Sequence, residues 1–274
     1  MNRKINRRKV TMALLLICVG LLAAVAVSGV LLAGQAAQTD FSLKNQTPSL
    51  THLFGTDWMG RDMLSRTLTG LSMSIRIGLA TAAVSAGISL LLGSAAALSR
   101  RADGVVTYCI DLVMGVPHIL LLILVSLACG KGLTGVVAGV TLTHWTSLAR
   151  VLRGEILQLR SAPYLQVAVK LGQSKWAILR RHLLPHLLPQ FLTGLVLQFP
   201  HAILHESSLT FLGFGLSPEQ PAIGNILSEG MSYLTTGKWW LALFPGLALV
   251  VTVALFAALG EGVRRLLDPA TAHE

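Results

Sequence analysis

Charge is scarce in this sequence. Only 12% of its 274 residues are Asp, Glu, Lys or Arg, about half the share usual in the composition of a water-soluble domain. Acidic residues are rarer still, 12 against 22 basic ones. Cysteine is limited to Cys18, Cys109 and Cys129, an odd number lying in apolar stretches. That signals neither a disulfide framework nor a cysteine metal site, and the three read as small hydrophobes. No Walker-type phosphate loop occurs, so a nucleotide-driven step has to borrow its energy from another chain. A membrane metalloprotease needs a pattern such as His-Glu-x-x-His on one helix, whereas Glu206 follows the second histidine of His201-x-x-x-His205. Matched halves with broken helices, the mark of many secondary transporters, are not visible either.

What is present in quantity is apolar. Hydrophobic residues make up 53% of the chain, and the mean hydropathy is +0.66, which places the protein in the multi-spanning membrane class. The first apolar run, Val10 to Ala33, is long enough to cross about 30 Å of hydrocarbon and too long for a typical signal core, so it reads as a retained span. Further spans are expected at Ser74 to Leu98, Gly115 to Gly130, Gly132 to Leu148, Leu188 to Leu212 and Trp239 to Leu259, six in all. Between the second and third, Arg100 to Gly104 reads as a tight turn and Val105 to Met114 as an interfacial helix. Asp111 then sits at the membrane edge, because an isolated carboxylate at mid-bilayer is costly.

A net charge of +10 would raise nucleic acid as a partner in a soluble protein. Its distribution argues otherwise. With the N-terminus inside, sixteen of the 22 basic residues, including Arg3, Lys4, Arg7, Arg8, Lys9, Arg100, Arg101, Arg160, Arg180, Arg181, Arg264 and Arg265, fall in cytoplasmic segments. This is the positive-inside pattern, and it predicts both termini in the cytoplasm.

The least apolar island among the later spans runs from Tyr164 to Pro189, YLQVAVKLGQSKWAILRRHLLPHLLP. Leu165, Ala168, Val169 and Leu171 follow helical spacing. Gly172 interrupts them where a helix end needs a residue free to take positive φ. Ser174 is a suitable N-cap for a second short helix, Lys175 to Leu184, which Pro185 is expected to end. The order Tyr164-x-Gln166-Val167-Ala168-x-x-x-Gly172-x-Ser174, followed by Arg181-His182-x-x-Pro185, resembles the EAA loop of the permease subunits of bacterial ABC importers. The resemblance implies a cytoplasmic loop that docks in a groove of the ATPase subunit and transmits ATP hydrolysis to the membrane. Gln166 and Val167 replace the family's leading Glu and first Ala, so an ionic contact at Gln166 is lost from that pattern.

Two further stretches extend the likeness from His52 onward. Gly55, Thr56, Asp57, Gly60, Arg61, Asp62, Ser65 and Arg66 stand in one register, similar to the GTDxxGRDxxSR signature of second-position permease subunits of dipeptide, oligopeptide and nickel importers. Read from the residues alone, this is a salt-bridged interfacial segment in which Asp62 and Arg66 are expected to pair at i,i+4. The run from Glu206 to Asn225, then Pro245-Gly246, then Gly260 to Pro269, resembles the same family, with Ile223 where many members have Trp. Gly213 to Gly215 should end the fifth span and let the chain turn near the outer surface.

The substrate is read from histidines. His201 and His205 lie four apart on one helix face just after Pro200, where a kink would turn them toward a bundle interior. Two imidazoles so placed suit Ni(II), Cu(II) or Zn(II), and His118 and His144 are expected in neighbouring spans. This pattern looks like the nickel-importing branch, with the peptide branch as the alternative. The expected substrate path comprises His201, His205, Glu206, His118 and His144, with His201 and His205 as transient metal contacts.

The sequence thus predicts an all-α polytopic membrane protein of six transmembrane helices with the type I ABC importer permease fold. Residues 1–34 form the N-terminal tail and first span, 35–73 an extracytoplasmic segment, and 74–274 the permease core with its coupling loop at 152–188. The resemblance implies a second permease subunit, two ATPase subunits, an extracytoplasmic binding protein and the inner membrane as partners. ATP and magnesium would reside on the ATPase subunits, with no cofactor on this chain and no chemistry of its own.

Overall fold

The computed structural model describes residues 7–267. Arg3 and Lys4 of the basic N-terminus, and the last two residues of the Gly260 to Pro269 stretch, lie outside the described residues. Within them the chain is helical, and the only extended pairing is an isolated bridge between Thr56 and Asp62. The helices are α1 (Arg7–Leu31), α2 (Ala33–Ala37), α3 (Met63–Leu98), α4 (Arg100–Met114), α5 (His118–Ala128), α6 (Gly132–Arg160), α7 (Pro163–Lys170), α8 (Lys175–Ile178), α9 (Leu184–Phe211), α10 (Ile223–Ser232) and α11 (Trp240–Leu267).

The bundle is built around α3, which packs against α1, α6 and α9, while α11 closes over α1 and α9 and α5 lies along α6. Apolar side chains cannot by themselves drive helices together in lipid, so close approach depends on small residues and hydroxyls. Along α3, Gly70, Gly78, Thr81, Ala82, Ser85, Ala86 and Ser89 are buried. Ser89 Oγ donates to the Trp145 carbonyl at 2.7 Å, and Ser72 Oγ donates to the Ala26 carbonyl at 2.7 Å. A Cβ added at Gly78 would lie 2.6 Å from Ile203 Cγ1, so that glycine sets the separation of α3 and α9. The outer faces are apolar, as Leu16, Leu31, Leu91 and Val250 show.

Four helices, starting at Arg8, Met63, Lys175 and Trp240, are long and apolar enough to cross a membrane. The pair α4 and α5, bent by 97°, makes a fifth if it is one broken span. The expected six are compatible with this if α6 is included. Its 29 residues are centrally packed but carry more polar groups than the other spans.

Several expected boundaries move. Helix α3 begins at Met63 rather than Ser74, because Asp62 accepts from the Ser65 amide at 2.8 Å and caps it. Arg100 to Gly104 is the first turn of α4 rather than a tight turn, since Ser99 Oγ accepts from the Ala102 amide at 3.0 Å. The third apolar run contributes only an eleven-residue helix, α5, because Pro117 disfavours helical backbone at Val116 and the chain breaks there. Pro185 does not end a helix. A π-helical stretch, Leu179–Leu183, carries the backbone from α8 into α9, and Pro189 and Pro200 also lie inside that helix. Wider π spacing moves the missing bond at Pro185 to a site that is already irregular.

The segment from Gln38 to Asp62 folds on itself at the end of the bundle opposite the start of α1. Gln46 N donates to Thr56 Oγ1 at 2.8 Å, and Thr56 Oγ1 donates to the Leu43 carbonyl. Gly55 and Gly60 take φ of 73° and 75°, the left-handed region where a side chain would be strained. The expected Asp62–Arg66 pair does not form. Asp62 is held by its capping role and by His52 Nδ1 at 3.0 Å, while Arg66 turns to Asp57 and to Glu229 of α10.

Candidate functional site: a histidine-lined cavity and a basic loop

At the break between α4 and α5 lies a cavity of about 560 Å³ bounded by the end of α4 and by α5, α6 and α9. Pro117 ends the bend and puts His118 in the first turn of α5. His144 comes from the middle of α6, where its Nδ1 lies 3.0 Å from the Val140 carbonyl of the preceding turn. His205 enters from α9. The three rings stand with centroids 4.4 Å (His118–His205), 4.8 Å (His118–His144) and 4.9 Å (His144–His205) apart. One ligating atom from each lies within 4.8 Å of the other two.

This differs from the expected pairing of His201 with His205. Both line the cavity, but His201 is exposed and is not part of the group within ligand distance. Although i,i+4 spacing places two side chains on one face, the nearer partners come from other helices, which sequence spacing does not reveal. Glu206, expected in the path, does not line the cavity. It is fully buried on another side of α9, where Thr210 Oγ1 donates to it at 3.0 Å and Ser207 Oγ at 3.3 Å. Gln198 lines the cavity with neither side-chain polar atom partnered, and sequence reasoning missed it. Asp111 forms an exposed pair with Arg150 at 3.1 Å.

The basic loop is built from α7, α8 and the π-helical stretch that leads into α9. Gly172 has φ of 79°, closing α7, and Ser174 Oγ accepts from the Ala177 amide at 3.2 Å to cap α8. Gln166 Nε2 donates to the Ser161 carbonyl at 3.1 Å, His182 Nε2 lies 3.2 Å from Gln173 Oε1, and the Tyr164 ring stands 6.1 Å from that of His182. Leu165 and Ala168 are buried beneath the loop. Tyr164, Val167, Val169, Leu171 and Trp176 are exposed, and so are Arg181 and Pro185. An apolar surface of this extent, rimmed by basic residues, has the composition of a protein contact. Behind it, a cavity of about 500 Å³ separates the loop from the end of α3, with Arg100, Arg160 and Lys170 on its wall.

A bundle of long apolar helices with a polar-lined cavity among them and an exposed basic loop at one end is the architecture of a membrane permease. The chain belongs to the family described as binding-protein-dependent transport system inner membrane component, whose profile matches residues 89–273. This is the permease component of ABC importers, a family that works with ATPase and binding-protein partners. The chain is 37% identical over 268 residues to a putative peptide transport system permease protein of Brucella suis, covering 98% of this chain and 90% of that protein. It is 30% identical to the dipeptide transport system permease protein DppC of Bacillus subtilis over 97% of this chain and 84% of the relative. With the oligopeptide permease OppC of Bacillus subtilis, identity is 34% over 84% and 77% of the two chains.

Proposed function

We propose that this chain is one of two homologous permease subunits in an ABC importer and that its solute is a short peptide. The observation that carries the solute class is the near full-length similarity to permeases named for peptide and dipeptide transport. A cavity of about 560 Å³ lies within the range of small-ligand sites. Nickel, the first expectation from the sequence, becomes the second reading, and the histidines that line the cavity favour it.

The remaining parts follow from this reading. The Tyr164–Pro189 loop docks on an ATPase subunit through Val167, Leu171 and Trp176, with Gly172 setting the angle between α7 and α8. ATP and magnesium belong to the ATPase pair. The basic end of the bundle faces the cytoplasm, a reading that the charge bias supports, and the segment around Asp57 faces the binding protein. Vesicles reconstituted with the complete importer, binding protein and ATP should accumulate labelled dipeptide. Accumulation of labelled nickel with no peptide uptake would reverse the order of the two readings.

A further inference from the structure

Three imidazoles from three different helices, α5, α6 and α9, meet on the wall of the cavity. We propose that His118, His144 and His205 form a binding site for one divalent transition-metal cation of the borderline class, such as Co(II), Ni(II), Cu(II) or Zn(II). The ligand set suits these ions, since imidazole is their preferred nitrogen donor and three histidines leave a coordination position open. That position faces the cavity, where water or a solute donor can enter.

The orientation of His144 is the second observation. Its Nδ1 is 3.0 Å from the Val140 carbonyl, an acceptor, so Nδ1 carries the proton and Nε2 presents a lone pair. Nε2 is buried and has no hydrogen-bond partner. A carbonyl-anchored imidazole with its other nitrogen free is the arrangement by which proteins fix the tautomer of a metal ligand. As an ordinary core residue the same nitrogen would be an unsatisfied buried acceptor, which costs about 1–3 kcal/mol. The three rings also form no hydrogen bonds with one another, so mutual satisfaction does not explain their clustering.

Distances allow the site to close. Metal–nitrogen bonds of about 2.1 Å in a tetrahedral site put the nitrogens roughly 3.4 Å apart. From separations of up to 4.8 Å the rings need only small side-chain rotations, and half-buried His118 and His205 have room for them. The imidazoles are neutral as ligands, and Glu206 is turned away, so counter-charge for the cation comes from whatever fills the open position. The site stands on this chain's own residues, and failure of the peptide reading leaves it untouched.

The test uses the assembled importer, purified in detergent without a histidine tag and titrated with cobalt chloride and nickel chloride. Wild type should take up one tight equivalent per copy of this chain, with visible Co(II) bands of imidazole ligation. Affinity should be higher for Ni(II) than for Co(II). His118→Gln and His205→Gln should each weaken binding at least tenfold while melting at the wild-type temperature in chelator. His201→Gln should bind like wild type. Absence of saturable binding in wild type, or binding that survives His118→Gln and His205→Gln, overturns the site. So does loss of binding in His201→Gln alone. Because His118 is half-exposed, its variant remains informative even if substitution at buried His144 prevents folding.

Discussion

Arg66 Nη2 stands 2.8 Å from Glu229 Oε2, joining the first turn of α3 to α10 across 163 positions of sequence. Arg66 also reaches Asp57, whose Oδ2 receives Arg61 Nε at 2.6 Å. The Asp57 Oδ1 accepts from the Met59 and Arg61 amides at 2.8 and 2.9 Å. One carboxylate that is 1% exposed therefore organises the turn, two guanidinium groups and, through them, α10.

Asp57→Asn should lower stability, because Arg61 and Arg66 are left sharing the one carboxylate of Glu229 and their buried charge-assisted hydrogen bonds to Asp57 are lost, at a cost of about 1.5–3 kcal/mol. Glu229→Gln should cost less, about 1 kcal/mol, since that side chain is 26% exposed and water can replace part of its role. Thermal melting of the purified importer should rank wild type above Glu229→Gln above Asp57→Asn. Equal melting of Asp57→Asn and wild type would refute the clamp.

Gly172→Val should insert and assemble yet uncouple ATP hydrolysis from uptake. A β-branched residue at φ of 79° is strained by about 1–2 kcal/mol, and relief tilts α8 away from α7. ATPase activity and uptake measured on the same vesicles check this. Normal uptake by the variant would remove the loop from the coupling role.

Topology can be read chemically. After Cys18, Cys109 and Cys129 are replaced, a single cysteine at Gln220 should react with an impermeant thiol reagent added outside intact cells, and one at Gln173 should not. The reverse pattern would invert the orientation.

Gly78→Val should overpack the contact between α3 and α9, since its Cβ would lie 2.6 Å from Ile203 Cγ1, at a typical cost of about 1–3 kcal/mol. Adding Ile203→Ala should recover part of the loss. Additive destabilisation in the double variant, scored by melting temperature, would show that the two positions do not share the space.

Local signals in the sequence translated well into structure and non-local ones did not. Gly172 and Ser174 announced a turn and a cap because each acts on neighbours within four residues, and the apolar runs around α1, α3 and α11 announced spans by length alone. Pro185 misled, because a proline's missing amide reads as a stop unless a π stretch upstream is known. Asp62 and Arg66 misled in the same way, since i,i+4 proximity on paper lost to a cap on one side and to Glu229 on the other. The histidines were singled out as candidates, but their grouping depends on how α5, α6 and α9 cross. No spacing rule encodes that crossing, and the pairing of His201 with His205 was the one visible on a single helix.

From Lys175 to Phe211 the backbone is continuous helix over 37 residues, about 55 Å of rod. Trp176 on the exposed loop and His205 beside the cavity are thus on one shaft with no intervening linker. Pro185, Pro189 and Pro200 each remove an axial hydrogen bond along it, so its compliance is concentrated at three known points. With the loop docked as proposed, a push at the Trp176 end would arrive at the cavity as bending divided among those joints, and stiffening any one of them would redistribute the motion to the other two.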